Sequence, residues 1–168
     1  MKSMCVRKGA EYLCVLLLIL AMICSLVGCR PPSDMPYNGD ITFHELTMTI
    51  PSTFIRDSTQ SSNDVWLFEK GYYDQLIILS RKDITGETDA SLDGYVEYMS
   101  EQGAKSERTT FLEYSAVLSE YTKDDQFCQE MLFAYNGSFY AIALRGGTQQ
   151  EFQTLLNTVS IMIAPKST

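Results

Sequence analysis

The stretch "FCQEMLFAYNGSFYAIALRG", residues 127–146, decides the fold. At its centre stands Asn136-Gly137. This pair is favoured in two-residue type I′ hairpins, where both central residues need φ > 0. A turn of that length sets the register: Tyr135 faces Ser138, Phe133 faces Tyr140, and Met131 faces Ile142. Side chains alternate along a strand. One face therefore carries Phe127, Met131, Phe133, Tyr140, Ile142 and Leu144, and the other Cys128, Leu132, Ala134, Phe139, Ala141 and Ala143. Both faces are apolar, so both are expected to be covered, and the alanines leave room for a close helix.

On the C-terminal side, Thr148 and Glu151 fit the T-x-x-E pattern of a capping box. A helix follows, with Phe152, Leu155, Leu156 and Val159 as its apolar stripe. On the N-terminal side, "AVLSEYTK" and "ERTTFLEY" read as strands. Before them the period changes: Leu92, Tyr95, Val96 and Met99 in "SLDGYVEYMSEQG" share one helical face. Ser91 is the expected N-cap and Gly103 the expected terminator. "VWLFEK" and "QLIILSRK" are two strands around Gly71, the second with an unbroken apolar run, Leu76 to Leu79, that fits burial on both faces. Residues 57–64, "DSTQSSND", form a polar loop. "ITFHELTMTIPSTF" reads as one half-buried strand ended by Pro51, with Leu46, Met48 and Ile50 inward. The sum is an α+β fold, a mostly antiparallel sheet flanked by two helices, one on each face. The folded domain is expected over residues 41–164, with a short tail at 165–168.

This order resembles the PsbP/Mog1 (DcrB-like) superfamily. The likeness rests on "LTMTIPSTF" as the first strand, "SLDGYVEYM" after "LIILSRKDI", and antiparallel strands before "EFQTLLNTVSI". It implies an α/β/α sandwich of accessory or adaptor type and transfers no functional residue.

The first 28 residues differ from the rest. Lys2, Arg7 and Lys8 precede an uncharged run from Tyr12 to Gly28, the pattern of a secretory signal. The run is short for a membrane span, which needs about 20 residues; an uncleaved anchor helix is the competing reading. "LVGC", residues 26–29, resembles the lipobox of bacterial lipoproteins. That resemblance implies a diacylglyceryl group on the Cys29 sulfur and cleavage before it, making Cys29 the mature N-terminus. Two acyl chains anchor stably where one does not. "RPPSDMPYNG" then serves as a stiff spacer, residues 29–40 in all, because proline favours extended backbone. Losing residues 1–28 removes three basic residues and one acidic residue, taking the net charge from −8 to −10. Such a body is repelled by nucleic acid and anionic lipid. The expected membrane contact is therefore the lipid on Cys29, and no nucleic-acid partner is expected. Cys128 is then the one internal cysteine, and the domain is expected to fold as a monomer without a disulfide.

Catalytic chemistry has little support. His44 is the single histidine, read here at a strand edge. With Cys128 it would make a nucleophile–base pair only if the fold joined them. No metal or other cofactor is expected. Asp124-Asp125 reads as a turn, with a weak calcium contact as the competing reading. Gly146-Gly147 reads as a strand-to-helix turn rather than a phosphate loop, since the P-loop lysine is missing. Tyr72 and Tyr73, beside Gly71, are the candidate interaction surface, with strand packing the competing role. The expected function is a non-enzymatic, lipid-anchored accessory or binding protein outside the cytoplasm, with a protein partner. A small envelope hydrolase and a transporter-associated ligand binder are the alternatives. A deep polar pocket would favour the hydrolase, while a domain of about 125 residues is small for the usual two-lobed binder.

Overall fold

Strands β8 (Gln126–Tyr135) and β9 (Ser138–Arg145) form the expected hairpin, with Tyr135 opposite Ser138, Phe133 opposite Tyr140 and Met131 opposite Ile142. Asn136 and Gly137 take φ of 46° and 76°, both left-handed as the turn requires. The structure is a computed structural model that describes residues 39–162. The segment read as a signal (residues 1–28), Cys29, most of the segment read as a spacer and the tail at 165–168 lie outside the described residues.

Before the hairpin come β1 (Gly39–Phe43), β2 (Leu46–Ile50), β3 (Ile55–Arg56), β4 (Val65–Lys70) and β5 (Gln75–Asp83). Helix α1 (Thr88–Glu101) follows, then β6 (Lys105–Phe111) and β7 (Tyr114–Lys123). After β9 come α2 (Gln149–Leu156) and β10 (Ser160–Ile161). All described strand pairs are antiparallel. They build a seven-stranded sheet ordered β3-β4-β5-β9-β8-β7-β6 and a three-stranded sheet ordered β1-β2-β10.

The small sheet is a correction. The segment read as one strand from Ile41 to Ile50 is a hairpin, broken at His44-Glu45, where His44 has φ of 53°. His44 is therefore a turn residue, not a strand-edge residue. Ile41, Phe43, Leu46, Met48 and Ile50 pack with Phe68, Ile77, Leu79, Phe133, Tyr140 and Ile142 of the large sheet. Phe152, Leu155 and Leu156 of α2 complete this core. Burial of that apolar surface is the main term that holds the layers together.

Helix α1 lies on the opposite face, where its Tyr95 hydroxyl donates to Glu130 at 2.7 Å. One helix per face is thus observed. Coverage is uneven, however. Along β9 the core-facing residues are buried while Phe139, Ala141 and Ala143 are half-buried, because α1 packs on β6 and β7 instead. Leu76, Ile77 and Leu79 are buried and Ile78 only half-buried, so full cover of both faces holds for part of β5.

Helix α1 starts four residues earlier than a Ser91 cap would place it. Ser91 Oγ instead donates back to the Glu87 carbonyl at 2.8 Å, and Glu87 stands at the N-cap without a side-chain bond. Gly103 ends the helix as expected, with φ of 81°. The Gly103 amide donates to the Ser100 carbonyl and the Ala104 amide to the Met99 carbonyl, the Schellman arrangement. At α2 the capping box is complete: Thr148 Oγ1 accepts from the Glu151 amide, and the Glu151 carboxylate accepts from the Thr148 amide at 2.8 Å.

Candidate functional site

Two places on the surface gather unusual side chains. The first is the β4–β5 loop. Gly71, Tyr72 and Tyr73 all have positive φ, and Tyr72 stands 90% exposed at the tip. Tyr73 behaves differently. Its hydroxyl donates to Asp57 Oδ2 at 3.0 Å and accepts from Gln60 Nε2 at 2.8 Å. The two tyrosines are neighbours in sequence but face different work: one meets solvent, the other braces the 57–63 loop.

Asp57 is the anchor of that loop. One carboxylate oxygen accepts from the Thr59 amide, the Thr59 hydroxyl and the Gln60 amide, and the other from Tyr73 and the Gln60 side chain. Burial alone raises its pKa, but the donors from Thr59, Tyr73 and Gln60 outweigh it and hold the carboxylate below its usual range.

The second place is an open cleft of about 630 Å³, lined by Phe43, His44, Arg56, Trp66 and the loop residues Ser58, Ser61, Ser62 and Asn63. Cross-strand pairing builds it. Arg56 lies opposite Phe68, so Trp66 is its diagonal neighbour on the same face. The Arg56 guanidinium sits 3.9 Å from the centroid of the indole. Phe43 meets Trp66 edge-on at 5.2 Å. The His44 Nε2 lies 2.9 Å from the Asn63 carbonyl and 3.3 Å from the Asp64 carboxylate. Ser61 Oγ donates to the Asp57 carbonyl and accepts from the Leu67 amide, tying the loop to β4. Sequence reading missed this cleft. Its one available signal was that the chain's only histidine and only tryptophan are both here.

Behind the cleft, the Tyr140 hydroxyl donates to the Glu45 carboxylate. That bond lowers the Glu45 pKa, while burial and the same bond push Tyr140 up to about 12. Arg81 completes the group through Asp64 at 3.7 Å and Asp83 at 2.6 Å. This network fixes the β1–β2 turn on the large sheet.

The other candidates separate. Cys128 is 2% exposed in β8, bonded through Sγ to the Gln126 carbonyl at 3.5 Å, and burial raises its thiol pKa. His44 has different partners, so the fold does not join the pair. Asp124 and Asp125 have φ of 50° and 61° and form the two-residue β7–β8 turn, with Asp124 paired to Arg145 at 2.9 Å. Gly146 turns the chain from β9 toward α2, as read. Among the described residues, no group of three or more His, Cys, Asp or Glu is placed to hold a metal.

No family model matches the chain, and no curated protein matches it. Solved structures do. The solution structure of cyanobacterial PsbP (CyanoP) from Synechocystis sp. PCC 6803 is similar with a TM-score of 0.52 at 12% identity, covering 81% of this chain and 98% of that one. A crystal structure from Bacteroides thetaiotaomicron VPI-5482 aligns with a TM-score of 0.49 at 9% identity, covering 76% of this chain and 50% of that one. The CyanoP likeness shows the PsbP-like fold expected from the strand and helix order. No helix among the described residues is long and apolar enough to cross a membrane.

Proposed function

We propose that this chain is a lipid-anchored accessory protein that binds a protein partner on the outer side of a bacterial membrane. One observation carries the reading: "LVGC" at residues 26–29 closes an uncharged apolar run behind a basic start. The stiff "RPP" that follows suits a domain held just off the bilayer. The exposed Tyr72 supports a recognition role, because tyrosine offers a large contact area with one wet end. In this reading the domain binds and does not catalyse.

The test has two arms in a bacterial host. Intact mass of the membrane-extracted protein should show loss of residues 1–28 and added acyl mass, and Cys29→Ala should leave the signal attached and the mass unacylated. Photocrosslinking from position 72 should capture one discrete protein. An unmodified Cys29 would overturn the anchor. Absence of any discrete crosslink from position 72, with one obtained from a control site on α1, would remove Tyr72 as the recognition point.

A further inference from the structure

The four arginines of the described residues fall into two groups. Arg81, Arg108 and Arg145 each form ion pairs with carboxylates, at 2.6 to 2.9 Å for the closest contact of each. Arg56 forms none among the described residues. Its Nε is buried and has no hydrogen-bond partner. An acidic chain with net charge −8 has carboxylates to spare, so the lone arginine is not explained by a shortage of partners.

Its geometry supplies the explanation. The guanidinium lies over the Trp66 indole, its carbon 3.9 Å from the ring centroid, which restrains its position. A guanidinium is itself planar and presents its donors in the fork that matches an oxyanion. A buried N–H without an acceptor carries a desolvation penalty that a bound acceptor relieves. The same cleft offers the Ser62 hydroxyl, whose oxygen accepts from the Val65 amide and whose proton has no acceptor in the described contacts. Phe43 and Trp66 provide an apolar wall beside these donors.

We infer that the cleft between Arg56, Trp66 and Ser62 is a binding site for a carboxylate group carried on a short apolar body. Charge selects carboxylate over phosphate. Asp64, its side chain 57% exposed, flanks the cleft beside His44, and the whole body is acidic. A singly charged group meets less repulsion there than a doubly charged one. The site depends on neither the lipid on Cys29 nor Tyr72, so its failure and the failure of the anchored-partner reading are separate results.

The chain carries its own reporter, since Trp66 is its only tryptophan. The full chain in detergent is titrated with butyrate, acetate, inorganic phosphate and chloride at constant ionic strength, following tryptophan fluorescence. Butyrate should give a saturable change, tighter than acetate, with phosphate and chloride weaker than both. Arg56→Lys keeps the charge but lacks the fork, and should weaken butyrate about tenfold, the loss of one charge-assisted hydrogen bond. A nitrogen–proton correlation spectrum should also show the Arg56 Nε–H resonance moving downfield with butyrate in the unaltered protein, a readout that needs no variant to fold. A saturable change that Arg56→Lys leaves intact, a response to phosphate stronger than to butyrate, or an unmoved Nε–H would each overturn the inference.

Discussion

Gly137 and Gly146 allow the steric and conformational parts of a glycine requirement to be separated. Both are left-handed, with φ of 76° and 72°. A Cβ at Gly137 meets nothing within 4 Å. A Cβ at Gly146 would lie 2.0 Å from the Asp74 carbonyl oxygen and 3.1 Å from its carbon, both backbone atoms. Alanine at either position carries the left-handed penalty of about 1–2 kcal/mol. At Gly146 the chain must also shift, and overpacking of this kind adds roughly 1–3 kcal/mol. Gly137→Ala should therefore cost about 1–2 kcal/mol and Gly146→Ala about 2–5 kcal/mol. At roughly 4 °C per kcal/mol for a domain of this size, the melting temperatures should differ by about 4–12 °C. Denaturant unfolding of both variants beside wild type measures this directly. Equal losses would refute the close approach of Gly146 to Asp74, and with it the clamp by which the Gln75 and Gln126 side chains bond across the same place.

Further outcomes follow from single side chains. Burial pushes the Glu130 carboxyl pKa up, although the Tyr95 bond opposes it, so the folded state holds this proton to higher pH than the unfolded state does. The stability contributed by Glu130 should be full below about pH 4.5 and fall as pH rises through the raised folded value. Glu130→Gln should remove that fall, so its melting-temperature gain over wild type should be larger at pH 7 than at pH 4; a pH-independent difference would contradict it. Thr148→Ala removes the side-chain arm of the capping box, leaves the backbone amide to donate to Glu151, and should lose about 1 kcal/mol in urea unfolding. Gly94 is exposed inside α1, and a Cβ there would meet nothing within 4 Å, so Gly94→Ala should gain about 0.5–1 kcal/mol in the same assay.

Where chain-local chemistry set the structure, the sequence could be read. Asn136-Gly137 named its own turn, Gly103 its helix end, and Thr148 with Glu151 their cap. The β6–β7 turn had no such mark. Leu112 and Glu113 take φ of 50° and 71° without glycine or asparagine. Phe111 and Leu112 both pack against the core, so burial of the flanking strands overrides the local preference. The β1–β2 turn also lacks glycine, proline and asparagine, and its one mark is a phase shift across "HE": the inward residues pass from odd positions, Ile41 and Phe43, to even ones, Leu46, Met48 and Ile50, while the Tyr140–Glu45 and His44–Asp64 contacts from distant strands hold the turn. The cleft was illegible because its parts are joined by pairing, not by spacing. Arg56 and Trp66 meet diagonally across β3 and β4, and His44 arrives from the β1–β2 hairpin.

The strand order of the large sheet has a consequence for copies of the protein lying side by side. An open sheet ends in two rows of unpaired backbone groups, and each row is a template for a neighbour's strand. Here one border is β3, only two residues long. Beyond it the 57–63 loop takes up the exposed groups of β4, with the Asp57 amide donating to the Leu67 carbonyl and Ser61 Oγ accepting from the Leu67 amide. The other border, β6, carries Lys105, Glu107 and Arg108, and Arg108 is strapped to Asp89 and Asp93 of α1. A matching strand from a second molecule would have to displace the loop at one border or bring charges against charges at the other. The sheet is thus built to resist edge-to-edge aggregation at high local density.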